Sequence, residues 1–226
     1  MEPRFEIKYE LAKKDFYKIF QSFLKNYRFI KEYPSREVYS LYYDDINLKS
    51  LLDNVSGNSK RVKLRLRWYE RFENIINAVL EIKKKDNKVT SKITNKLMLK
   101  LDPAELDFLL NKKKIFKKYF SSDNLENEIF FKNKINYRPK IYIKYTREYY
   151  KFDNFFRITF DSFISYKLYN WPEKVWKNDD KCIIEIKCPK TKMVNYLNLV
   201  KQMPLIAKRN SKYVRGMSIY NKTNYF

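Results

Sequence analysis

Residues 61–69 read Arg61-Val62-Lys63-Leu64-Arg65-Leu66-Arg67-Trp68-Tyr69. Basic and apolar side chains alternate along this stretch from its first residue to its eighth. Successive side chains of a β-strand point to opposite faces, so the alternation separates an apolar face from a basic one. The stretch therefore predicts a strand that packs on a core with one face and presents cations on the other.

Seven other segments alternate with the same period of two, less cleanly at 140–149 than elsewhere. Many strands with few helices indicate an α+β fold, built as a barrel or a sandwich of mostly antiparallel strands. With residues 61–69 the sequence thus predicts eight strands. The other seven are 4–10, 37–43, 78–85, 88–94, 140–149, 155–161 and 182–188.

Three helices are expected between these strands. Apolar residues recur at helical spacing over 12–27 and over 191–203. A third helix, 102–110, begins with Asp102-Pro103-Ala104-Glu105, which places an N-cap, a proline and a glutamate where helix starts favour them. Segments 112–136 and 170–181 are rich in Lys and Asn and are predicted to be loops or insertions. Since no change in composition marks a boundary, we predict one domain over residues 1–226.

Composition excludes several classes of protein. The chain of 226 residues has no histidine, which removes His-based zinc sites and catalytic triads. Its two glycines exclude Gly-rich phosphate loops. An aromatic content of 18% argues against general disorder. The 49 basic and 26 acidic residues give a net charge of +23, which is weak evidence for an anionic partner.

The predicted location is the cytoplasm. No apolar run approaches the roughly 20 residues of a membrane span, so no transmembrane segment is expected. The charged N-terminus does not have the apolar stretch of a signal peptide. Cys182 and Cys188 lie six residues apart on one predicted strand, about 20 Å along it, which is too far for a disulfide. We expect both to be small buried side chains in a reducing compartment.

The tripeptide Glu-Ile-Lys occurs at residues 6–8, 81–83 and 185–187, on three predicted strands. Each copy places a carboxylate and an ammonium on one strand face with isoleucine on the other. On a single strand, this pattern would indicate only the solvent-exposed face of an ordinary sheet. Repetition over several strands favours a shared basic face whose carboxylates hold a hard divalent ion, which suits a polyanion handled as its metal complex.

The order of the charged motifs resembles a known family over about residues 4–216. The chain is similar to the VTC domain, the polyphosphate polymerase domain of the vacuolar transporter chaperone complex. That domain belongs to the triphosphate tunnel metalloenzyme (CYTH-like) superfamily. The motifs that carry the resemblance are Glu6-x-Lys8-Tyr9, Ser40-Leu41-Tyr42-Tyr43-Asp44, Lys63-x-Arg65-x-Arg67, Glu81-x-Lys83, Tyr145-x-Arg147, Arg157-Ile158-Thr159-Phe160-Asp161, Glu185-x-Lys187 and Ser211-Lys212-Tyr213.

The resemblance implies an eight-stranded antiparallel β-barrel tunnel with flanking helices. It implies an enzyme that transfers the γ-phosphate of ATP onto a growing polyphosphate chain with Mn²⁺ or Mg²⁺. ATP and polyphosphate are then the expected partners, and no specific nucleic acid is expected. By position, the resemblance implies Arg65, Arg67, Lys212 and Lys8 as catalytic residues, Lys83, Lys92, Tyr145, Arg147, Arg157, Lys187 and Ser211 as phosphate contacts, and Glu185 as the metal ligand.

One departure favours the polymerase branch of the superfamily. Hydrolases and cyclases of this superfamily usually carry Glu-x-Glu-x-Lys near the N-terminus, whereas this chain has Arg4 in place of the first glutamate. Two alternatives stay open: a triphosphatase that uses the same residues, and a non-catalytic polyanion-binding module. The roles of Glu6 and Glu81 as metal ligands or as orienting groups also stay open. Asp161 could pair with an arginine of the site.

Overall fold

A computed structural model describes residues 4–26, 29–69, 75–87, 89–100, 137–152, 155–169, 175–201 and 205–221. Within them lie nine strands that form one antiparallel sheet. The strands are β1 Arg4–Ala12, β2 Ile30–Asp44, β3 Lys60–Trp68, β4 Ile75–Asp86, β5 Val89–Lys100, β6 Arg138–Phe152, β7 Phe156–Leu168, β8 Lys177–Asn178 and β9 Lys181–Pro189.

Four α-helices lie within the described residues. They are α1 Lys13–Asn26, α2 Lys49–Val55, α3 Met193–Lys201 and α4 Lys212–Asn221. A single 3₁₀ turn, Lys190–Lys192, leads into α3. The helices predicted over 12–27 and 191–203 are therefore confirmed as α1 and α3. The helix predicted over 102–110 and the loop predicted over 112–136 lie outside the described residues.

All eight predicted strands are present, because each predicted segment overlaps one long observed strand. The sequence did not predict β8, a two-residue strand that interrupts the loop expected over 170–181. Strand order runs β1-β9-β7-β6-β2-β3-β4-β5, with β8 beside β7. Among the described residues no pairing joins the two end strands, so the sheet is confirmed but its closure into a barrel is not.

The chain divides into two compact units. The first unit consists of Met1–Glu37, Lys144–Ser165 and Trp176–Ser211. Its core is the apolar face of β1, β9 and β7, with the aromatic face of α1 packed on it. The ring of Phe20 lies 4.5 Å from that of Phe160, edge to face, and the ring of Phe16 lies 6.1 Å from it. Cys182 and Cys188 are free thiols buried in this core, as expected.

The second unit consists of Val38–Ile143, Tyr166–Val175 and Lys212–Phe226. The apolar positions of residues 61–69 form part of its core, with Leu64, Leu66 and Trp68 fully buried. Helix α4 packs closely here. A Cβ at Gly216 would come within 2.5 Å of the Tyr166 ring and 2.8 Å of Ile141 Cδ1, so only glycine permits this approach.

Candidate active site

The polar face of β2 to β5 in the second unit carries four of the nine predicted cations. Arg65 lies directly opposite Tyr42 on β2 and opposite Glu81 on β4. Directly opposite residues share one face of a sheet, so the alternation in each strand gathers these side chains together. We call this set the Glu81 face; it comprises Ser40, Tyr42, Arg65, Arg67, Glu81, Lys83 and Lys92.

Glu81 is the carboxylate on which three cations of this face converge. Arg65 binds its Oε2 through both Nε and Nη2. Lys92 Nζ lies 2.6 Å from its Oε1, and Arg67 Nη1 lies 3.7 Å from the same atom. Burial disfavours the charged carboxylate, yet these three cations lower the pKa of Glu81 to about 2. One carboxylate among three cations leaves positive charge that can receive an anion.

The hydroxyl of Tyr42 extends the same cluster. Its oxygen accepts a hydrogen bond from Arg65 Nη1 at 2.9 Å. The Tyr42 ring stacks on that of Tyr213, with centroids 5.4 Å apart and planes 6° from parallel. Burial raises the pKa of Tyr42, but Arg65, Arg67 and Lys212 outweigh it and lower the pKa below its ordinary value. Tyr42 is therefore part of the cationic face as well as a packing residue.

Asp44 explains how the start of α4 is positioned. It is fully buried, and its carboxylate accepts the backbone N–H groups of Ser50 at 2.9 Å and Leu51 at 3.0 Å. These bonds cap the start of α2. The hydroxyl of Tyr213 donates to the same carboxylate at 2.7 Å. Lys212 directly precedes Tyr213, so this bond helps to position Lys212, the lysine of the predicted Ser211-Lys212 pair.

The polar face of β1, β9 and β7 in the first unit carries a second set of predicted residues. Lys8 on β1 and Thr159 on β7 both lie directly opposite Glu185 on β9. Glu6 and Arg157 flank Lys187 in the same way. We call this set the Glu185 face; it comprises Glu6, Lys8, Arg157, Thr159, Asp161, Glu185 and Lys187.

Lys8 joins two carboxylates of the Glu185 face. Its Nζ lies 3.1 Å from Glu6 Oε1 and 3.3 Å from Glu185 Oε2, and Lys187 contacts the other oxygen of Glu185. Burial lowers the pKa of Lys8, but Glu185 and Glu6 outweigh it and raise the pKa above its ordinary value. Burial likewise opposes ionisation of Glu185, whose pKa is nevertheless held well below its usual range by Lys8, Lys187 and Arg147.

Arg147 on β6 is held by a bidentate ion pair in the first unit. Its Nε and Nη2 lie 2.6 Å and 2.7 Å from the two carboxylate oxygens of Asp161. This confirms the expectation that Asp161 pairs with a predicted site arginine. The guanidinium also lies 5.1 Å from the ring of Tyr145. Although burial opposes it, Asp161 raises the pKa of Arg147, so the charge of this arginine is permanent.

Arg157 shares the strand face but pairs elsewhere. Its Nε lies 3.4 Å from Glu32 Oε2, and Lys151 Nζ lies 3.0 Å from the other oxygen of that carboxylate. About half of the Arg157 side chain is exposed. The contacts of Arg157 therefore differ from those of Arg147, and Glu32 is a partner that no strand alternation predicted.

A segment that we call the strap, residues 205–210, runs beside β1 in the first unit. The N–H of Lys208 donates to the backbone oxygen of Lys8 at 3.0 Å, and Tyr9 forms a bridge with Ala207. Asn210 Nδ2 donates to Glu10 Oε2 at 2.9 Å. The strap leads directly to Ser211, so it sets where the predicted Ser-Lys pair begins.

The predicted residues thus fall into two groups. The second unit holds Arg65, Arg67, Lys83, Lys92 and Lys212, and the first holds Lys8, Tyr145, Arg147, Arg157, Glu185, Lys187 and Ser211. Their functional roles remain predictions.

Sequence reasoning missed two buried hydroxyls. Ser40 Oγ and Thr159 Oγ1 have no hydrogen-bond partner within the described part of the chain. Their strand phase placed them on the charged faces, but small neutral side chains do not stand out in a charge pattern.

The carboxylates present suit a metal ion that arrives with phosphate. No group of three or more metal-ligating side chains occurs among the residues that the structure describes. Mg²⁺ is commonly held by one or two carboxylates together with substrate phosphates, and Glu185 with neighbouring Glu6 offers such a pair. Three cations bind the oxygens of Glu81, which supports an orienting role for it. Lys8 and Lys187 contact both oxygens of Glu185 as well, so a metal ion there would share the carboxylate with these lysines.

Comparison with known proteins assigns the family. The sequence profile of the VTC domain matches residues 3–221. The chain belongs to the VTC domain family. The resemblance inferred from the sequence motifs is therefore confirmed over nearly the whole chain. A comparison with curated protein sequences found no match.

Solved structures with low sequence identity share the fold of this VTC domain. One is a protein from Hippeastrum that was assigned as an adenylyl cyclase and shows a dominant triphosphatase activity; it has 16% identity, a TM-score of 0.55 and 96% coverage of each chain. Another, from Vibrio parahaemolyticus and also assigned as an adenylate cyclase, has 15% identity, a TM-score of 0.50 and coverage of 96% of this chain and 98% of its own. Within the described residues, no helix has the length and apolar character to cross a membrane.

Proposed function

We propose that this VTC domain is a metal-dependent phosphotransferase that extends polyphosphate with the γ-phosphate of ATP. The observation that carries the proposal is the Glu81 face, where Arg65, Arg67 and Lys92 surround one carboxylate. Such a face binds a polyanion and excludes cationic substrates. Membership of the VTC domain family supports polyphosphate as the product.

Phosphoryl transfer requires that the protein position the reacting groups and neutralise their charge. Phosphoryl transfer is catalysed mainly by alignment of the groups and neutralisation of their charge, so a chain without histidine can perform it. Arg65, Arg67, Lys83, Lys92 and Lys212 would bind phosphate oxygens in the second unit. In the first unit Lys8, Arg147, Arg157 and Lys187 would do so, with Tyr145 and Ser211 as further contacts.

Glu185 would hold the divalent ion, Mn²⁺ or Mg²⁺, with phosphate oxygens as its other ligands. When bound, the ion neutralises charge on the transferring phosphoryl group. Lys8 and Lys187 contact both oxygens of Glu185, so their positions determine how that carboxylate is oriented.

A triphosphatase is the second candidate, since the Hippeastrum relative of the same fold shows a dominant triphosphatase activity. Water would replace the polyphosphate end as acceptor, and the same cations would bind the triphosphate. A non-catalytic polyanion-binding module is the third. The three candidates differ in the product they release.

The test is incubation of the purified protein with γ-labelled ATP and Mn²⁺, followed by separation of products by size. A ladder of labelled polymer is expected. Free labelled phosphate alone would contradict the polymerase and favour the triphosphatase. Absence of turnover with Mn²⁺ and with Mg²⁺ would contradict both enzymes.

The variant Glu185→Gln tests the metal assignment in the same assay. It removes the charge of the carboxylate and keeps its shape, so turnover should be lost while anion binding is retained or strengthened. The matched control is Glu37→Gln, which changes an exposed glutamate of β2 outside both charged faces. Full turnover by Glu185→Gln would overturn the role of Glu185 as metal ligand.

A further inference from the structure

Two hydroxyls of β2 lie buried on the Glu81 face with a proton to donate. Ser40 is directly opposite Arg67 and is 1% exposed, and Tyr42 is directly opposite Arg65 and is 8% exposed. Ser40 Oγ has no hydrogen-bond partner in the described part of the chain. The Tyr42 oxygen accepts from Arg65 Nη1, and among the described residues its proton has no acceptor.

Buried polar groups are normally hydrogen-bonded. We therefore expect the Ser40 and Tyr42 hydroxyls to donate to an acceptor that binds at this place. The cations beside them restrict what that acceptor is. Arg65 and Arg67 repel a cation, and buried charge disfavours an apolar group. A phosphate group has several acceptor oxygens and can bind guanidinium and hydroxyl donors together.

We propose that Tyr42 and Ser40 are substrate contacts that donate hydrogen bonds to a phosphate group bound at Arg65 and Arg67. This inference rests on the proposed function, because it adds two contacts to the same substrate phosphates. It gives Tyr42 a contact with the substrate in addition to its packing against Tyr213.

The surroundings of Tyr42 favour donation to an anion. Arg65 donates to the Tyr42 oxygen, and a hydroxyl that accepts a bond from a cation becomes a stronger donor itself. The stack on Tyr213 holds the ring, so the hydroxyl needs little reordering when an anion arrives. Arg65 contacts Glu81 through Nε and Nη2 and contacts Tyr42 through Nη1. The Tyr42 hydroxyl therefore adds a donor next to an arginine whose nitrogens already contact other side chains.

The first measurement is binding of inorganic tripolyphosphate to the full chain by calorimetry, without divalent ions. Tyr42→Phe removes one oxygen and keeps the stacked ring, and it should weaken binding about 10-fold, the effect of one hydrogen bond to a charged group. Ser40→Ala should weaken it several-fold. The control is Tyr43→Phe, which removes a buried hydroxyl from the opposite face of β2 and should leave affinity within about twofold.

The second measurement separates donation from a purely structural role. The groups that face Tyr42 are Arg65 and Arg67 on β3 and Lys212 and Tyr213 on α4, with Glu81 on β4 reached through Arg65. Ionised Tyr42 has no proton to donate and repels phosphate. As the pH rises toward about 10, the ordinary pKa of tyrosine, affinity should therefore fall more steeply in the wild type than in Tyr42→Phe.

Equal affinity of wild type and Tyr42→Phe, or parallel pH curves, would overturn this inference and leave the proposed function standing. A loss in Tyr43→Phe equal to that in Tyr42→Phe would assign the effect to packing and would also overturn it. Failure of the wild type to bind tripolyphosphate both without divalent ions and with Mn²⁺ would overturn the proposed function itself.

Discussion

Each of the three guanidinium nitrogens of Arg65 contacts a neighbouring side chain. Two of its nitrogens bind Glu81, and a third binds the hydroxyl of Tyr42. The planar fork of arginine makes this possible, whereas a lysine offers a single ammonium that cannot reach both partners in the same geometry. Arg65 therefore both carries charge and holds the cluster in shape.

The variant Arg65→Lys tests that reading at the scale of one residue. It keeps the charge and loses the fork, so we expect kcat/KM for ATP to fall about 10-fold or more. The measurement is steady-state turnover, with circular dichroism to check the fold. Arg138→Lys, at an exposed position of β6, is the matched control and should retain activity. Equal activity of the two variants would contradict a geometric role for Arg65.

For the secondary-structure elements, the alternation of polar and apolar residues predicted the strands but did not predict helix α2. The pattern at 61–69 correctly placed Arg65 and Arg67 on the face opposite Leu64 and Leu66, because strand geometry allows only two faces. Helix α2 was missed because its seven residues are too short to show a period, and because its cap, Asp44, comes from the preceding strand.

The sequence also did not predict which side chains pair with each other within the site. The pairing of Arg157 with Glu32 depends on which strands are neighbours, and alternation within each strand does not reveal that. The same holds for Tyr213 and Asp44, which are far apart in the sequence. Metal binding by Glu185 and the phosphate contacts remain predictions.

Helix α4 offers a prediction at this scale. Tyr213→Phe removes the hydrogen bond to buried Asp44 and keeps the ring on Tyr42. Loss of a bond to a charged group should lower the free energy of unfolding by about 1.5–3 kcal/mol. Urea unfolding checks the value, and amide exchange should be faster at the start of α4. Tyr17→Phe, which changes a half-exposed tyrosine of α1, is the control. Unchanged exchange would contradict a positioning role for this bond.

For the whole molecule, the ion pairs predict how stability depends on pH. Burial opposes ionisation of Glu81, yet its cations lower its pKa from 4.5 to about 2. A carboxylate with a depressed native pKa stabilises the fold above its unfolded pKa, and that contribution is lost as pH falls toward the native value. Glu81 alone should therefore contribute about 2 kcal/mol to the fall in stability between about pH 6 and about pH 3.

Urea unfolding at several pH values measures this fall. The variant Glu81→Gln should show a shallower loss over the same range, since it has no carboxylate to protonate. Glu37→Gln should follow the wild type. Parallel curves for wild type and Glu81→Gln would show that the depressed pKa of Glu81 does not contribute to acid stability.

The strap beside β1 has a consequence for self-association. An end strand with unpaired backbone groups is a template on which another chain can add a strand and begin to aggregate. The Lys8 oxygen on the outer side of β1 already accepts the N–H of Lys208, and Ala207 bridges Tyr9 next to it. The segment that leads to Ser211 therefore also covers this edge, and a change that loosens the strap would expose a surface open to intermolecular strand pairing.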